Sequence, residues 1–510
     1  MKKFVSMLLA LTLCVSMLAG CSGSKGGNDA SNGGSTVIKM GVSSDITSLD
    51  PQNHNDTTSA YMTRHIYSNL VRLNENNEFV GDLAKSWEYV DDVTVNFELH
   101  EGVKFHNGET LTSEDVKFTM ERLATSSKVG HLIKMIDNVE VIDDTHFTIH
   151  LNTPSNALVS SLFHSGAAIL CKSHVEAIEA EGKTVADVPN GTGPYKFVEY
   201  ITGTSCELAK NEDYFDKDRM PQNHGVKIIV YPEDAARTIA LETGEIDLCL
   251  NVPTTDAQKI RDNENLELNQ VTSTRIEYMG LTTNKAPFDN KLVRQAMNYA
   301  VDKEAVVTAA TENEAVPFDN YIGAAAIGYY DVVTKYERNL DKAKELLAEA
   351  GYDESNPLEF TAYLSGDTRS KSATVIQANL AEIGVKMNIE QMESATFYER
   401  CANGEPDAYF AGWVANAEPD NTYRALWTTE GGNNYSHYEN DKMLELVNIA
   451  STSRDSAEVQ AAYEEVLRTI SDDAIWVPLY SLDYQLAYQA GLQGVHNSPI
   501  GMHDFYGIHY

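Results

Sequence analysis

The sequence predicts an α/β protein with two or three domains, and three observations support this. Strand and helix signals are mixed along the whole chain, and no segment repeats at a fixed period. The 510 residues are enough for two or three domains with sizeable cores. Apolar residues make up 42% of the chain and aromatic residues 9%, proportions that are typical of a globular protein.

The first element along the chain is an export signal. Two lysines precede an apolar run over residues 4–17, which is typical of a secretory signal peptide and too short to span a bilayer comfortably. The run is followed by Leu18-Ala19-Gly20-Cys21, which resembles the lipobox of bacterial lipoproteins. This resemblance implies that residues 1–20 are removed and that Cys21 carries a diacylglycerol. The alternative is a plain secreted protein with a cysteine near its cleavage site.

A flexible tether is predicted to follow the lipid site. Residues 21–36 are rich in glycine, serine and asparagine and have no apolar anchor. Two acyl chains hold a protein at a membrane surface durably, because each buried methylene contributes about 0.8 kcal/mol. We therefore expect an extracytoplasmic body that is lipid-anchored to the cell membrane, on the outer face of the cytoplasmic membrane or in the periplasm.

The charge of the chain excludes two classes of partner. The formal net charge is −36 at pH 7, which repels nucleic acid and anionic lipid headgroups. No later segment approaches the roughly 18 uninterrupted apolar residues of a transmembrane helix. We expect a monomeric body that binds no nucleic acid and contacts the membrane through its lipid.

Three segments carry strand signals. Apolar and polar residues alternate over residues 93–99, which predicts a half-buried strand. The short apolar runs Val226 to Tyr231 and Ala408 to Val414 are of the buried-strand type.

Three further segments carry helix signals. Thr112-Ser113-Glu114-Asp115 is a capping box and predicts a helix start. A second helix is predicted after Asp289 and Asn290, and a third over residues 340–350, ending at Gly351, where glycine accepts a left-handed conformation easily. The predicted buried stripes are Val116, Met120 and Leu123 in the first helix, and Val293, Ala296, Met297, Ala300 and Val301 in the second.

Cysteine usage leaves the redox chemistry open. Cys14 leaves with the signal peptide, and no C-x-x-C spacing occurs. Outside the cytoplasm one or two disulfides are possible, and a zinc site is disfavoured by the wide spacing. The sequence selects no pairing among Cys171, Cys206, Cys249 and Cys401.

Several segments together resemble the extracellular solute-binding proteins of peptide-type ABC transporters, family 5, which include the oligopeptide- and dipeptide-binding proteins. The strongest block runs from Leu83 to Leu123 and matches the signature of that family, with His100 where the family usually has arginine. The remaining matches keep the order of the family: Ser48-Leu49-Asp50-Pro51, Gly191-Thr192-Gly193-Pro194-Tyr195, Asn211 to Phe215, Pro287-Phe288, Val293-Arg294-Gln295-Ala296, Gly412-Trp413 and Pro478-Leu479-Tyr480.

The resemblance implies a periplasmic-binding-protein-like α/β fold with two lobes joined by a two-strand hinge. Lobe I would comprise residues 37–75, 190–278 and 481–510, with an extra subdomain over residues 76–189. Lobe II would comprise residues 279–480. The ligand would be enclosed between the lobes, where clefts and hinge closure are common.

The best candidate for the binding site is the loop Gly412 to Asn421, where an apolar strand ends at Trp413 and a polar loop begins. In peptide-binding relatives an aspartate three residues after this tryptophan pairs with the α-ammonium of the ligand. That position is Asn416, a neutral acceptor, and a buried ammonium needs a paired charge. Either Glu418 or Asp420 could substitute, or the ligand lacks a free amino terminus. The alternative is that Asn416 caps a turn.

Other candidates come from both lobes. Arg369 and Lys371 open a predicted helix, and a helix start with cations makes an anion site. The resemblance implies a ligand carboxylate there, since relatives that bind short peptides place an arginine near this position. A solvated charge pair is the alternative. Thr57 and Thr58 could supply contacts from the first lobe, and Tyr435 could line the cleft.

The leading functional prediction is a binding protein that hands a peptide-like solute to the permease and ATPase subunits of an ABC importer. The alternatives are proteins of the same fold that bind an oligosaccharide, a metal chelate, a signalling peptide or an opine-like compound. A secreted hydrolase is disfavoured because neither Gly-x-Ser-x-Gly nor His-Glu-x-x-His occurs. We expect no catalytic residue, no cofactor and no resident metal.

Overall fold

The computed structural model describes residues 36–74, 78–250, 252–415 and 417–510. The predictions for the signal peptide, Cys21, Asn416 and nearly all of the tether fall outside these residues. The strands are β1 Val37–Val42, β2 Val71–Leu73, β3 Phe79–Gly81, β4 Ala84–Asp91, β5 Thr94–Leu99, β6 Ile136–Val141, β7 His146–Leu151, β8 Tyr195–Ile201, β9 Ser205–Lys210, β10 Gly225–Val230, β11 Leu248–Leu250, β12 Leu266–Leu281, β13 Ala315–Pro317, β14 Glu359–Leu364, β15 Lys386–Gln391, β16 Ala408–Val414 and β17 Trp476–Gln489.

Helices cover these strands on several sides. They are α1 Thr57–Ile66, α2 Ser113–Ala124, α3 Ala157–Phe163, α4 Lys172–Ala180, α5 Asp234–Glu242, α6 Thr254–Arg261, α7 Lys291–Ala300, α8 Lys303–Thr311, α9 Leu340–Glu349, α10 Asp367–Ala381, α11 Ser394–Ala402, α12 Pro419–Trp427, α13 Asp441–Thr452 and α14 Ser456–Asp472. Short 3₁₀ helices occur at Gly130–Ile133 and Ser165–Ala167.

One large sheet organises the fold. Its strand order is β15-β14-β16-β12-β17-β11-β1-β10-β9-β8, and β13 pairs with β17. We call β1 and β8–β11 the N-terminal half, and β13–β16 the C-terminal half. A separate four-stranded sheet, in the order β4-β5-β7-β6, forms the small-sheet region together with α2 and α3. Strands and helices are therefore mixed as the sequence predicts.

The long strands β12 and β17 run antiparallel through the middle of the large sheet. Their pairing extends from Leu266 opposite Gln489 to Gly280 opposite Trp476 and shifts register between Thr272 and Arg275. At this irregularity the Thr274 N–H donates to the Pro499 carbonyl oxygen, at 3.2 Å. The backbone at Thr274 is therefore joined directly to the residues that follow β17, 490–510, which we call the C-terminal segment.

Apolar cores lie on both halves of the sheet. One cluster joins the N-terminal half, α1 and the C-terminal segment, and another fills the small-sheet region. Two clusters cover the C-terminal half, one with α7–α10 and one with α11–α14. The two faces of β12, β14 and β16 are therefore buried, which explains why the sequence of β16 is an uninterrupted apolar run.

The local predictions agree with the structure. In β5, Val95, Phe97 and Leu99 are buried while Asn96 is exposed. The capping box at the start of α2 forms as predicted, since Thr112 and Asp115 satisfy each other's backbone groups. The stripes predicted for the first two helices are buried, and Gly351 has φ of 91° after α9.

All four cysteines in the described residues are buried free thiols: Cys171, Cys206, Cys249 and Cys401. The disulfides that the sequence left possible therefore do not form among them, since each lies inside an apolar core without a partner sulfur. Within the described ranges no helix is both long and apolar enough to cross a bilayer.

Candidate functional site

The predicted binding loop, Gly412 to Asn421, overlaps the end of β16 at Val414 and the start of α12 at Pro419. Trp413 pairs with Ile276 of β12 in the sheet and is half-buried. Its indole Nε1–H donates to the Thr422 hydroxyl on α12, at 3.1 Å. The ring is thus fixed between the central strand and α12, at the point where the polar loop leaves the sheet.

Both carboxylates of this loop have partners within the protein. Glu418 caps α12 by accepting from the Asp420 N–H, at 3.1 Å, and it accepts a hydrogen bond from the Ser160 hydroxyl of α3. Burial raises the pKa of Glu418, although these hydrogen bonds oppose the shift. Asp420 forms a two-pronged ion pair with Arg424, with both N–O distances at 2.9 Å. A role for either one opposite a ligand ammonium stays a prediction.

Arg369 lies in the first turn of α10 and points at a buried carboxylate. Its Nε donates to Glu277 Oε2, at 2.9 Å, and Arg275 Nη2 donates to Glu277 Oε1, at 2.7 Å. Glu277 is 4% exposed and belongs to β12. Burial alone would lower the pKa of Arg369, but the attraction of Glu277 outweighs it and holds the pKa above its ordinary value. A ligand carboxylate would therefore meet an arginine that already has an anion.

Gly412 explains how β16 accommodates this triad. A Cβ on Gly412 would lie 2.3 Å from Glu277 Oε1, so a side chain at this position would displace the carboxylate. Strand β16, which contains Trp413, and helix α10, which has Arg369 in its first turn, therefore meet at Glu277. The sequence predicted both parts of this arrangement but not the glutamate between them.

The remaining predicted residues have different surroundings. Tyr435 is half-buried and lies between two tyrosine rings. The centre of its ring is 5.9 Å from that of Tyr398 and 6.0 Å from that of Tyr409. Lys371 is exposed, and in the described part of the chain it forms no ion pair. Its predicted role in anion binding thus rests on its position alone.

Thr57 and Thr58 lie at the start of α1. Thr57 is exposed, and the buried Thr58 hydroxyl is 2.8 Å from the Ser44 hydroxyl. Asp56 caps the helix by accepting from the Ser59 N–H, at 2.8 Å. Helix-start geometry accounts for these residues, and their predicted contact with ligand remains untested.

A cavity that the sequence did not reveal lies between α1, the small-sheet region and the C-terminal segment. It has a volume of about 850 Å³ and is lined by three arginines, Arg64, Arg72 and Arg219. Apolar walls come from Phe163, Val271, Ile500 and Met502. A cluster of arginines in so acidic a chain is a signal of function, but these three are up to 155 positions apart and only the fold brings them together.

Direct contacts join the small-sheet region to the C-terminal half. The Asn156 side-chain amide donates to the carbonyl oxygens of Ala450, at 2.8 Å, and Ser453, at 2.7 Å. Arg454 donates to Asn156 Oδ1, at 2.7 Å, and its guanidinium lies 3.9 Å from the centre of the Tyr89 ring. Carbonyls at the end of a helix lack intrahelical partners, so Asn156 satisfies groups that α13 leaves open. We call this set the Asn156–Arg454 contact.

No metal centre is evident in the described ranges, where no three His, Cys, Asp or Glu side chains are suitably grouped. His106, in the signature block, has its Nε2 3.0 Å from the Gly193 carbonyl oxygen. Burial lowers the pKa of His106 to about 4, which keeps the ring neutral at pH 7. This histidine therefore has a structural partner.

Comparison with known proteins identifies the relatives of this chain. Residues 78–435 match the family described as bacterial extracellular solute-binding proteins, family 5 Middle. Heme-binding protein A of Haemophilus influenzae is 29% identical over 477 residues, which cover 88% of this chain and 87% of that protein. Glutathione-binding protein GsiB of Pectobacterium atrosepticum is 29% identical over 484 residues, which cover 91% and 92%.

A solved structure shows the same fold. The ABC transporter-associated periplasmic binding protein DppA from Helicobacter pylori, in complex with the peptide STSA, is 28% identical. It matches with a TM-score of 0.75 over 94% of this chain and 98% of its own. The chain therefore has the α/β fold of the periplasmic binding proteins, as the sequence predicted. These relatives are binding proteins rather than enzymes, which agrees with the prediction that this chain is not an enzyme.

Proposed function

This chain belongs to the bacterial extracellular solute-binding proteins, family 5, and we propose that it captures a peptide-like solute between two lobes and delivers it to an ABC permease. The lobes we propose are the two halves of the large sheet, with the small-sheet region attached to the first. Cys21 would hold the protein at the membrane through its lipid, and the tether would let the lobes close freely.

The observation that carries this proposal is the way in which the two halves are joined. In the middle of the large sheet β12 and β17 lie side by side, and each half has its own apolar cores. Away from this pair, the small-sheet region of the first lobe meets the second lobe through polar contacts, Glu418 to Ser160 and the Asn156–Arg454 contact, and through Ala417 in its apolar cluster. A two-strand connection with polar contacts at the rim is suited to hinge closure around a ligand.

A peptide-like solute is supported by the names of two relatives. One is a glutathione-binding protein, and the other was solved with the peptide STSA. Peptide backbones can be held by strand-like hydrogen bonds, and their side chains by wet pockets. The end of β16 and the loop after Trp413 offer a strand terminus of this kind beside the hinge.

A non-peptide solute is the second candidate, and one observation favours it. Glu277 already occupies Arg369, the arginine that the family resemblance assigns to a ligand carboxylate. One relative is named for heme binding, so family 5 is not confined to peptides. A zwitterionic peptide would then need its charges met elsewhere than at Asn416 and Arg369.

Native mass spectrometry of the full chain, purified from bacterial membranes, tests the proposal. We expect a bound solute of peptide composition, and a polypeptide that begins at Cys21 with a diacylglycerol. A di- to hexapeptide panel should then raise the melting temperature, since a ligand stabilises by RT ln(1 + [L]/Kd), and should be recovered chemically unchanged.

The variant Trp413→Ala removes the indole beside the hinge and should abolish the ligand-induced rise in melting temperature. Turnover of the peptides, or no shift with any of them in the wild-type protein, would contradict peptide binding. An unmodified chain that starts before Cys21 would contradict the lipid anchor and leave the binding proposal intact.

A further inference from the structure

We propose that Arg64, with Arg72 and Arg219, binds a carboxylate of an organic anion in the cavity beside the C-terminal segment. The identification of that anion with the transported solute rests on the proposed function. The site itself rests on the arginines, on the charges around them and on the shape of the cavity.

Arg64 is the central residue of this site because, in the described ranges, no carboxylate makes a direct ion pair with its guanidinium. It lies on α1, its Nη1 is 2.7 Å from the Met502 sulfur, and it stacks 4.6 Å from the centre of the Phe163 ring. Among the described residues no carboxylate oxygen lies within 4 Å of it, whereas Arg122 and Arg219 have such partners. Burial lowers the pKa of Arg64, the expected effect on a desolvated cation, and the more distant carboxylates of Asp504 and Asp82 oppose this shift.

The neighbouring charges leave the cavity with a positive interior. Arg219 is paired with Asp82, at 2.9 Å, and lies 3.9 Å from Asp216. Among the described residues Arg72 donates to the Leu73 carbonyl oxygen, at 3.5 Å, and it also attracts Asp82. The carboxylates that line the cavity, those of Asp218 and Asp504, are exposed, whereas the arginines are partly buried.

This distribution directs the positive charge inward. Carboxylates in water are screened, while partly buried guanidinium groups are screened less. Arginine presents planar N–H donors that match a carboxylate in two-pronged geometry. An anion that enters the cavity would therefore give Arg64 a direct ion pair, which Asp504 and Asp82 do not form with it among the described residues.

The size and walls of the cavity select an organic anion. A volume of about 850 Å³ is far larger than an inorganic ion needs and falls in the range of small-molecule sites, roughly 300–1,000 Å³. Phe163, Val271, Ile500 and Met502 offer apolar contact surface. A carboxylate attached to carbon chains satisfies both the arginines and these walls.

The cavity is also connected to the predicted binding loop. Ile500 and Met502 pack against the apolar cluster that contains Ala417 and contacts Ile327. The loop after β16 thus rests on the same cluster that borders the arginine cavity.

The experiment uses citrate as an organic polycarboxylate, inorganic phosphate as a plain anion, and the full chain at constant ionic strength. Calorimetry and thermal shift are measured on the wild type, on Arg64→Gln and on the matched control Arg468→Gln, which removes the same charge from exposed α14. We expect citrate to raise the melting temperature of the wild type and the control. Its affinity for Arg64→Gln should fall by about 10- to 100-fold, the range for a hydrogen bond to a charged group.

An equal response of Arg64→Gln and the wild type, or no response to citrate, would overturn the site. A phosphate response as large as that of citrate would overturn the assignment to an organic anion. Arg72→Gln provides a second variant if Arg64→Gln does not fold, and its affinity for citrate should also fall. Peptide binding that survives Arg64→Gln unchanged would refute the identification of the anion with the transported solute and leave the proposed function standing.

Discussion

Two arginines in different halves of the molecule show how the same side chain acquires different roles. Arg369 in the C-terminal half donates to the buried Glu277, at 2.9 Å, while Arg64 beside the N-terminal half has a sulfur and an aromatic ring as its neighbours. A buried charge without a partner is costly, so a protein retains one where an external partner supplies the missing interaction. The comparison teaches that an arginine is a candidate for ligand binding when its own protein leaves it unpaired.

The largest expected effect is a loss of stability when the ion pair between Arg369 and Glu277 is removed. Arg369→Ala should lower the free energy of unfolding by about 3 kcal/mol, because it leaves Glu277 buried with Arg275 as its remaining cation. Urea denaturation measures this change. Adding Glu277→Gln to the variant should restore part of the loss. If Arg369→Ala unfolds like the wild type, Arg369 is not the structural partner of Glu277 and the contrast with Arg64 disappears.

The second effect concerns acid sensitivity near Arg64. Burial lowers the pKa of His65, His164 and His503 to about 4, and Arg64 adds to the shift of His164. The unfolded chain binds protons at these rings below about pH 6.5, whereas the folded chain binds them only near pH 4. Their contribution to stability is thus full above pH 6.5 and is lost as the pH falls towards 4. Each histidine contributes a slope of up to about 1.4 kcal/mol per pH unit.

The variant His164→Asn sharpens this prediction. In the wild type the Gly166 N–H donates to His164 Nδ1, at 3.0 Å, and an asparagine side chain can still accept this hydrogen bond. Urea denaturation at pH 7, 6 and 5 should show a shallower loss of stability for this variant than for the wild type. Parallel pH profiles would mean that His164 is not held neutral by its surroundings.

The smallest effect tests whether the Asn156–Arg454 contact stabilises the closed form of the two lobes. The pair Asn156→Ala and Arg454→Ala removes the Asn156–Arg454 contact and should raise the Kd of a bound peptide about tenfold. Each lost hydrogen bond costs about 0.5–1.5 kcal/mol, and a factor of ten in Kd corresponds to about 1.4 kcal/mol. Calorimetry measures the affinity. Lys442→Ala on α13, whose partner Glu465 lies in the same half, is the control and should bind normally. Unchanged affinity in the double variant would show that the contact does not stabilise the closed form.

Much of the fold was predictable because local patterns record which face of an element is buried. The alternation in β5, the capping box before α2 and the apolar stripe of α7 each follow from periods of two or about 3.6 residues. The order of family motifs then indicated the α/β fold and solute binding, which the comparisons confirm. Of the predicted site residues, Trp413 pairs with Ile276 and Arg369 donates to Glu277, both on β12, and their role in ligand binding stays a prediction.

Only the tertiary structure decided which charged side chains pair with one another. The pairing of Arg369 with Glu277 spans 92 positions, and the cavity joins arginines from α1, β2 and the loop before β10. The four cysteines, whose pairing the sequence left open, are free thiols inside apolar cores. The physical reason is that hydrophobic period fixes the buried face of an element, whereas ion pairs form between atoms that come within about 4 Å only after distant segments have packed. The sequence by itself determined the family and the class of function, and folding determined which arginine remains open to a ligand.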